Sequence, residues 1–126
     1  MSQPRAILDV AFYRTNAGNE PVRAWLKSLR KEDRKIIGTD IKTVQYGWPL
    51  GMPLVRKIEP RLWEARSRIT DGIARVLFTV VEDKMVLLHG FVKKSQKMPL
   101  KELATAKRRL GNLEIDQLTD EEEKDE

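Results

Sequence analysis

The stretch LWEARSRITDGIARVLFTVVEDKMVLLHGF, residues 62–91, is the clearest indication of the architecture, because it holds three runs of β-forming residues separated by short polar turns. In the first run, residues 62–69, most apolar side chains face one way and the charged ones face the other, as in a strand with one buried face. Asp71-Gly72 marks a turn, and residues 73–81 form a strongly apolar second run. Residues 85–92 form the third. The stretch therefore predicts a three-stranded antiparallel meander.

The sequence on either side of this meander predicts helices and one further strand. Asn19 and Pro21 suit the start of a helix, and apolar residues at helical spacing follow them. From the N-terminus, the predicted elements are a strand over 5–13, helices over 20–30 and 32–46, a loop over 46–53, the meander, and a helix beginning at Pro99. Gly38 weakens the prediction of the second helix. The order β-α-α-β-β-β-α is typical of an α+β fold, here an antiparallel sheet packed on a helical hairpin with its other face open.

The composition restricts the kind of protein and the kind of site. A chain of 126 residues suits one domain with its own core. The absence of cysteine excludes disulfides and thiolate zinc sites, and a single histidine with dispersed carboxylates argues against a metal nuclease. No motif indicates a cofactor. No apolar run is long enough to span a bilayer, and the N-terminus lacks the apolar core of a signal peptide, so we expect a cytoplasmic protein without a membrane partner.

The charge of the chain is divided unevenly between a basic body and an acidic tail. Residues 116–126 hold seven acids and one base, which leaves 23 bases and 12 acids, a net charge of +11, on residues 1–115. We predict that residues 1–115 form the single domain and that residues 116–126 are a flexible tail or a frayed helix. A small body this basic attracts polyanions, and nucleic acid is the commonest polyanion in a cytoplasm.

Cationic side chains recur along the predicted sheet, and they match part of what RNA cleavage requires. RNA can be cut without a metal when its own 2′-hydroxyl attacks the neighbouring phosphate, which requires a base, an acid and cations around the phosphate. Arg75 interrupts an apolar strand, where a charge normally costs stability, so a function is expected to offset that cost. The candidate catalytic residues are Arg66, Arg75, His89, Lys93 and Lys94, and the candidate RNA-binding residues are Lys57, Arg68, Lys97, Arg108 and Arg109. Arg108 and Arg109 have a second interpretation, as solvated residues of the last helix.

The role of His89 depends on the register of the last two strands. Its side chain would be a natural acid or base near neutral pH, but a histidine inside a strand is also an ordinary structural residue. If residues 82–84 form a three-residue loop, Arg75, His89 and Lys93 share one sheet face. If the loop is only Asp83-Lys84, His89 lies opposite Phe78 and belongs to the core. The sequence leaves both registers open.

The order of several motifs resembles a known toxin family. The chain has a Trp-Glu-Ala-Arg strand, a turn ending in Asp-Gly, an Ile-Ala-Arg-Val-Leu-Phe strand, and LLHGFVKKSQKMP before a basic helix. This succession resembles the HigB branch of the RelE/ParE toxin superfamily, in particular the phage-derived relatives of HigB, over residues 5–113. The resemblance implies the toxin of a type II toxin–antitoxin system, an endoribonuclease that cleaves mRNA and usually does so on the translating ribosome. The sequence leaves open whether this protein cleaves mRNA on the ribosome or free mRNA. The resemblance also implies silencing by a small helix-turn-helix antitoxin, in a complex that can be oligomeric.

Two other functions are compatible with the same resemblance. ParE members of the superfamily are not nucleases and inhibit DNA gyrase by binding to it, and a phage-encoded RNA-binding protein without catalysis is the third reading. The arginines and lysines on the sheet favour the enzyme, because a protein that only binds gyrase has no need of them. The chain departs from RelE-like patterns in lacking a tyrosine near the end of the last strand, where such a residue would stack on a base or donate a proton.

The acidic tail generates a prediction of its own. Deleting residues 116–126 should leave the melting temperature nearly unchanged and should tighten nonspecific RNA binding at low salt, where electrostatic repulsion by the tail is least screened. Thermal unfolding and RNA binding at two salt concentrations measure both effects. A large loss of thermal stability would show instead that the tail is a structural element.

Overall fold

The computed structural model describes residues 5–93 and 97–124, and side chains as far as residue 114. The elements are β1 (Asp9–Phe12), α1 (Pro21–Ser28), α2 (Lys31–Gly47), β2 (Val55–Glu59), β3 (Leu62–Ile69), β4 (Gly72–Val81), β5 (Lys84–Lys93) and α3 (Leu100–Lys124). They form one five-stranded sheet in the order β1-β5-β4-β3-β2. The predicted α+β class is confirmed, and the three meander strands lie within two residues of their predicted bounds. No helix in the described parts of the chain is long and apolar enough to cross a membrane.

Two strands at the sheet edges differ from the prediction. β2 was not predicted; it follows the proline-containing loop and pairs antiparallel with β3. Its sequence VRKIE is short and carries only two large apolar residues, which is a weak strand signal. β1 covers only four of the residues predicted for the first strand, and it pairs in parallel with β5. The sheet is therefore antiparallel except at this edge.

Helices cover both faces of the sheet, so the expectation of an open face is wrong. Val22 of α1 and Ile37 of α2 pack into one core with Phe78 of β4. On the opposite face, Ala106 and Leu110 of α3 pack into a second core. The sequence predicted α3 but contained no information on which face it covers. We call this second face the α3 face. α3 also continues to Lys124, past the predicted start of the acidic tail.

A bulge in β5 decides the register that the sequence left open. Val81 pairs with Lys84 across a two-residue turn, which is neither of the two predicted loops. The register then shifts between Phe78 and Leu77, so that Leu77 faces His89. Leu88 is therefore an additional residue in β5, without a partner of its own in β4. It places Arg75, His89 and Lys93 on one face, the outcome expected for the three-residue loop.

The other face of β5 carries a close contact that only a glycine allows. A Cβ built on Gly90 would overlap the indole ring of Trp25, which packs directly on the strand from α1. Trp25 is partly buried and packs against the core that α1 and α2 form with the sheet. The indole reaches β5 because position 90 has no side chain.

We predict that Gly90→Ala lowers the free energy of unfolding by about 1–3 kcal/mol, because the added methyl group forces the indole or the strand to move. Gly38→Ala is the control, since position 38 lies inside α2 with nothing within 4 Å of a new Cβ. There alanine should stabilise the helix by about 0.5–1 kcal/mol. Urea unfolding of both variants measures the difference, and equal effects would contradict the close contact.

Candidate functional site

The candidate residues lie in rows across β3, β4 and β5 on the α3 face. From the end of the sheet inward, the rows are Arg68–Ile73–Lys93, Arg66–Arg75–Phe91 and Glu64–Leu77–His89. Neighbouring strands are about 4.8 Å apart, so each row brings three side chains together. Arg68 is exposed, whereas Arg66 and Lys93 are partly buried. We call Arg66, Arg68 and Lys93 the cationic end of the sheet.

Beneath this cationic end lies a buried ionic group. Oε2 of Glu64 is 3.5 Å from Nη1 of Arg75, and both side chains are fully excluded from solvent. Oε1 of Glu64 is 3.6 Å from Nε of Arg66, whose side chain is 19% exposed. The glutamate therefore connects a buried arginine to one that reaches the surface. Arg66 is the member of this group that a ligand at the surface can reach.

The burial of Arg75 bears on its predicted catalytic role. A guanidinium without exposed surface does not meet a phosphate in this conformation, whereas Arg66 on the neighbouring strand does reach solvent. Arg75 holds the carboxylate of Glu64, and Glu64 in turn lies against Arg66. The geometry suits a positioning role for Arg75 and direct contact for Arg66.

A cleft opens at the edge of β3, next to the cationic end. The backbone N–H of Arg66 donates to the carbonyl oxygen of Leu54, and that of Thr70 donates to Asp33 of α2. Between these two bonds the strand edge borders a cleft of about 290 Å³. The cleft, which we call the edge cleft, is lined by Asp40, Pro53, Leu54, Arg66, Arg68 and Ile73. A molecule bound in the edge cleft would contact Arg66 and Arg68.

His89 joins β5 to α3 rather than facing open solvent. Its Nε2 lies within hydrogen-bonding distance of Oε2 of Glu102. Its Nδ1 lies 3.2 Å from Nη1 of Arg109, which also donates to the carbonyl oxygen of Leu88 at 2.8 Å. Since arginine only donates, this fits the tautomer with the proton on Nε2. Both ring nitrogens are engaged, so His89 must exchange a partner before it can serve as an acid or base.

Arg109 is partly buried, unlike Arg108 beside it on α3. Burial lowers the pKa of its guanidinium below the ordinary value, and the charge of Arg108 lowers it further. Tyr13 and Glu102 act in the opposite direction. Arg108 itself is exposed on the helix. Of the two predicted arginines, Arg109 therefore contributes to the attachment of α3, and Arg108 remains available at the surface.

The remaining candidates are dispersed. Lys57 pairs with Trp63 and lies 5.9 Å from the centre of that ring, on the face opposite the cationic end. Lys97 is exposed just before α3. Lys94 lies outside the described residues. Among the described side chains, no group of three histidine, cysteine or acidic residues is placed to hold a metal ion.

Sequence reasoning missed three carboxylates of this region, namely Asp40, Glu64 and Glu102. Glu64 had a visible signal, because it shares the strand face of Arg66 and a carboxylate between arginines can neutralise them. Asp40 and Glu102 gave no signal, since each lies on a helix and the sequence does not show which part of the sheet that helix covers. Only the packing of α2 and α3 on the sheet brings them to the site.

The buried ionic group leads to a stability prediction. Glu64→Gln should lower the free energy of unfolding by about 3–5 kcal/mol, because it removes a buried negative charge 3.5 Å from the fully buried guanidinium of Arg75. Glu114→Gln is the matched control: Glu114 pairs with Arg61 at 2.7 Å, but both side chains are largely exposed. That control should cost less than about 1 kcal/mol. Similar losses in urea unfolding of the two variants would show that Glu64 does not compensate Arg75.

Comparison with known proteins places this chain in a family. The model of the family described as "Phage derived protein Gp49-like (DUF891)" matches residues 24–111, which is more than half of the chain. That range includes the edge cleft, the cationic end and His89 with both of its partners on α3. No curated protein matches the chain. The chain therefore belongs to the Gp49-like family of phage-derived proteins, a RelE/HigB-type, toxin-like family associated with toxin–antitoxin systems.

Proposed function

We propose that this protein is the toxin of a type II toxin–antitoxin pair and a metal-independent endoribonuclease that cleaves mRNA on the translating ribosome. The observation that supports this function best is the cationic end. Two arginines on β3 and a lysine on β5 lie on one face at the same end of the sheet, with β4 between the two strands. The two arginines line the edge cleft, and a buried carboxylate lies 3.6 Å from one of them. Membership in a toxin-like family supports the same proposal.

The proposed reaction uses the 2′-hydroxyl of the RNA as the nucleophile. The hydroxyl loses its proton to a base and its oxygen attacks the adjacent phosphorus, while the bond to the leaving 5′-oxygen breaks and that oxygen takes up a proton. Arg66 and Arg68 bind the phosphate oxygens, where negative charge grows in the transition state, and a guanidinium can do this with two parallel hydrogen bonds. Lys93 and Lys94 are the proposed proton carriers, and Arg75 positions Arg66 through Glu64.

The positive charge of residues 1–115 also bears on the protein partner. We propose that a small helix-turn-helix antitoxin silences the protein by covering the cationic end, because a body with a net charge of +11 favours a partner with an acidic surface. RNA and antitoxin would then compete for Arg66 and Arg68, so that binding of either one excludes the other.

Expression of the protein without an antitoxin should arrest growth and generate discrete new 5′ ends in cellular mRNA. Arg66→Ala should reduce cleavage by about 100- to 1000-fold, the range for a lost electrostatic stabiliser in a transition state. Its effect on RNA affinity should be much smaller, about tenfold, because one phosphate contact among several is lost. Primer extension on cellular mRNA, with a cleavage assay on ribosomes programmed with mRNA, measures these effects.

Arg30→Ala is the matched control, since Arg30 is an exposed arginine between α1 and α2, which pack on the opposite face of the sheet. It should cleave like the parent protein. Arrest with intact mRNA and broken chromosomes would point to inhibition of gyrase. RNA binding without new 5′ ends in either assay would point to an RNA-binding protein without catalysis.

A further inference from the structure

The edge cleft combines two opposite charges with apolar walls. Asp40 reaches it from α2, Arg68 reaches it from β3, and Leu54 and Ile73 supply apolar surface between them. Its volume of about 290 Å³ is at the lower end of the range for small-molecule sites. A single nucleotide is of suitable size, whereas a duplex is not.

The two charges of the cleft do not neutralise each other. Among the described residues, neither Asp40 nor Arg68 makes an ion pair or a side-chain hydrogen bond, although both line the same cavity. Arg66 beside them is held by Glu64 instead. A carboxylate and a guanidinium that line one cavity without pairing are both available to a ligand that carries an anionic group at one end and hydrogen-bond donors at the other.

We propose that the edge cleft binds one guanine nucleotide of the RNA and that Asp40 recognises its base. The carboxylate accepts hydrogen bonds from N1–H and N2–H of guanine, Leu54 and Ile73 contact the faces of the ring, and Arg68 binds the adjoining phosphate. This inference rests on the proposed RNA-directed function and extends it by naming the nucleotide that is bound beside the cationic end.

Guanine is selected because an ionised carboxylate can only accept hydrogen bonds. Its Watson–Crick edge presents two adjacent donors, which match the two oxygens of Asp40 as a bidentate pair. Adenine and cytosine present one amino group next to an unprotonated ring nitrogen, whose lone pair is repelled by the second carboxylate oxygen. Uracil presents a single N–H between two carbonyl oxygens. One well-matched pair of this kind is worth about 5- to 150-fold in discrimination between bases.

Titration of the full-length protein with each of the four nucleoside 5′-monophosphates, followed by NMR chemical-shift changes, tests this inference without requiring cleavage. GMP should bind about tenfold more tightly than AMP, CMP or UMP, and the shifted resonances should include those of Asp40, Leu54 and Ile73. Asp40→Asn should weaken GMP binding by about tenfold, because the amide directs a donor at a donor on the base. The same variant should bind AMP equally or more tightly, because it loses a charge that repels phosphate.

Glu32→Gln is the matched control, since it removes the same charge from α2 at a residue that does not line the cleft. It should keep the preference for GMP. Equal binding of all four nucleotides by the parent protein, or an absence of binding, would overturn the inference. A uniform increase for every nucleotide in Asp40→Asn would also overturn it, because Asp40 would then only repel anions. Selective GMP binding without any mRNA cleavage would overturn the nuclease proposal and leave the guanine site standing.

Discussion

A glutamate between two arginines, on the α3 face of the sheet, is the interaction on which the cationic end depends. Removing charges from water is costly, and a buried ion pair is tolerated only when its members compensate each other closely. Glu64 and Arg75 are both fully buried, and Arg66 extends the group to the surface. Because the guanidinium of Arg66 lies against a fixed carboxylate, part of its conformational freedom is lost before any ligand arrives, which reduces the entropic cost of binding.

Polar contacts also position α3 on the sheet. His89, Glu102 and Arg109 form a chain of polar contacts between β5 and the helix, beside the apolar contacts of Ala106 and Leu110. Apolar packing alone would allow the helix to slide along the sheet, whereas directional contacts define one position. The bulge in β5 is required for this arrangement, because without it His89 would point into the opposite core.

Residues 62–91 were predictable from the sequence because residues 62–69 alternate between apolar and charged side chains, the next two runs are rich in β-forming residues, and the turns are short. β2 was not, since five residues with two large apolar side chains carry little periodic signal. The bulge at Leu88 could not be foreseen either, because a register shift of one residue depends on contacts across strands. Arg66 and Arg68 could be placed on one face from their spacing in β3. The burial of Arg75 and the approach of Asp40 depend on how the helices pack, which local sequence does not encode.

The pairing of β1 with β5 has a consequence for the order in which the protein folds as it is synthesised. Asp9 lies beside Lys84, 75 positions later in the chain, so the first strand has no partner until β5 has been synthesised. His89 acquires its partners later still, when Glu102 and Arg109 have been synthesised. A contact as distant in sequence as that between Asp9 and Lys84 forms late in folding, because a large loop must close first. A nascent chain therefore has no complete sheet before β5 has been synthesised, and no positioned α3 before Arg109 has been synthesised.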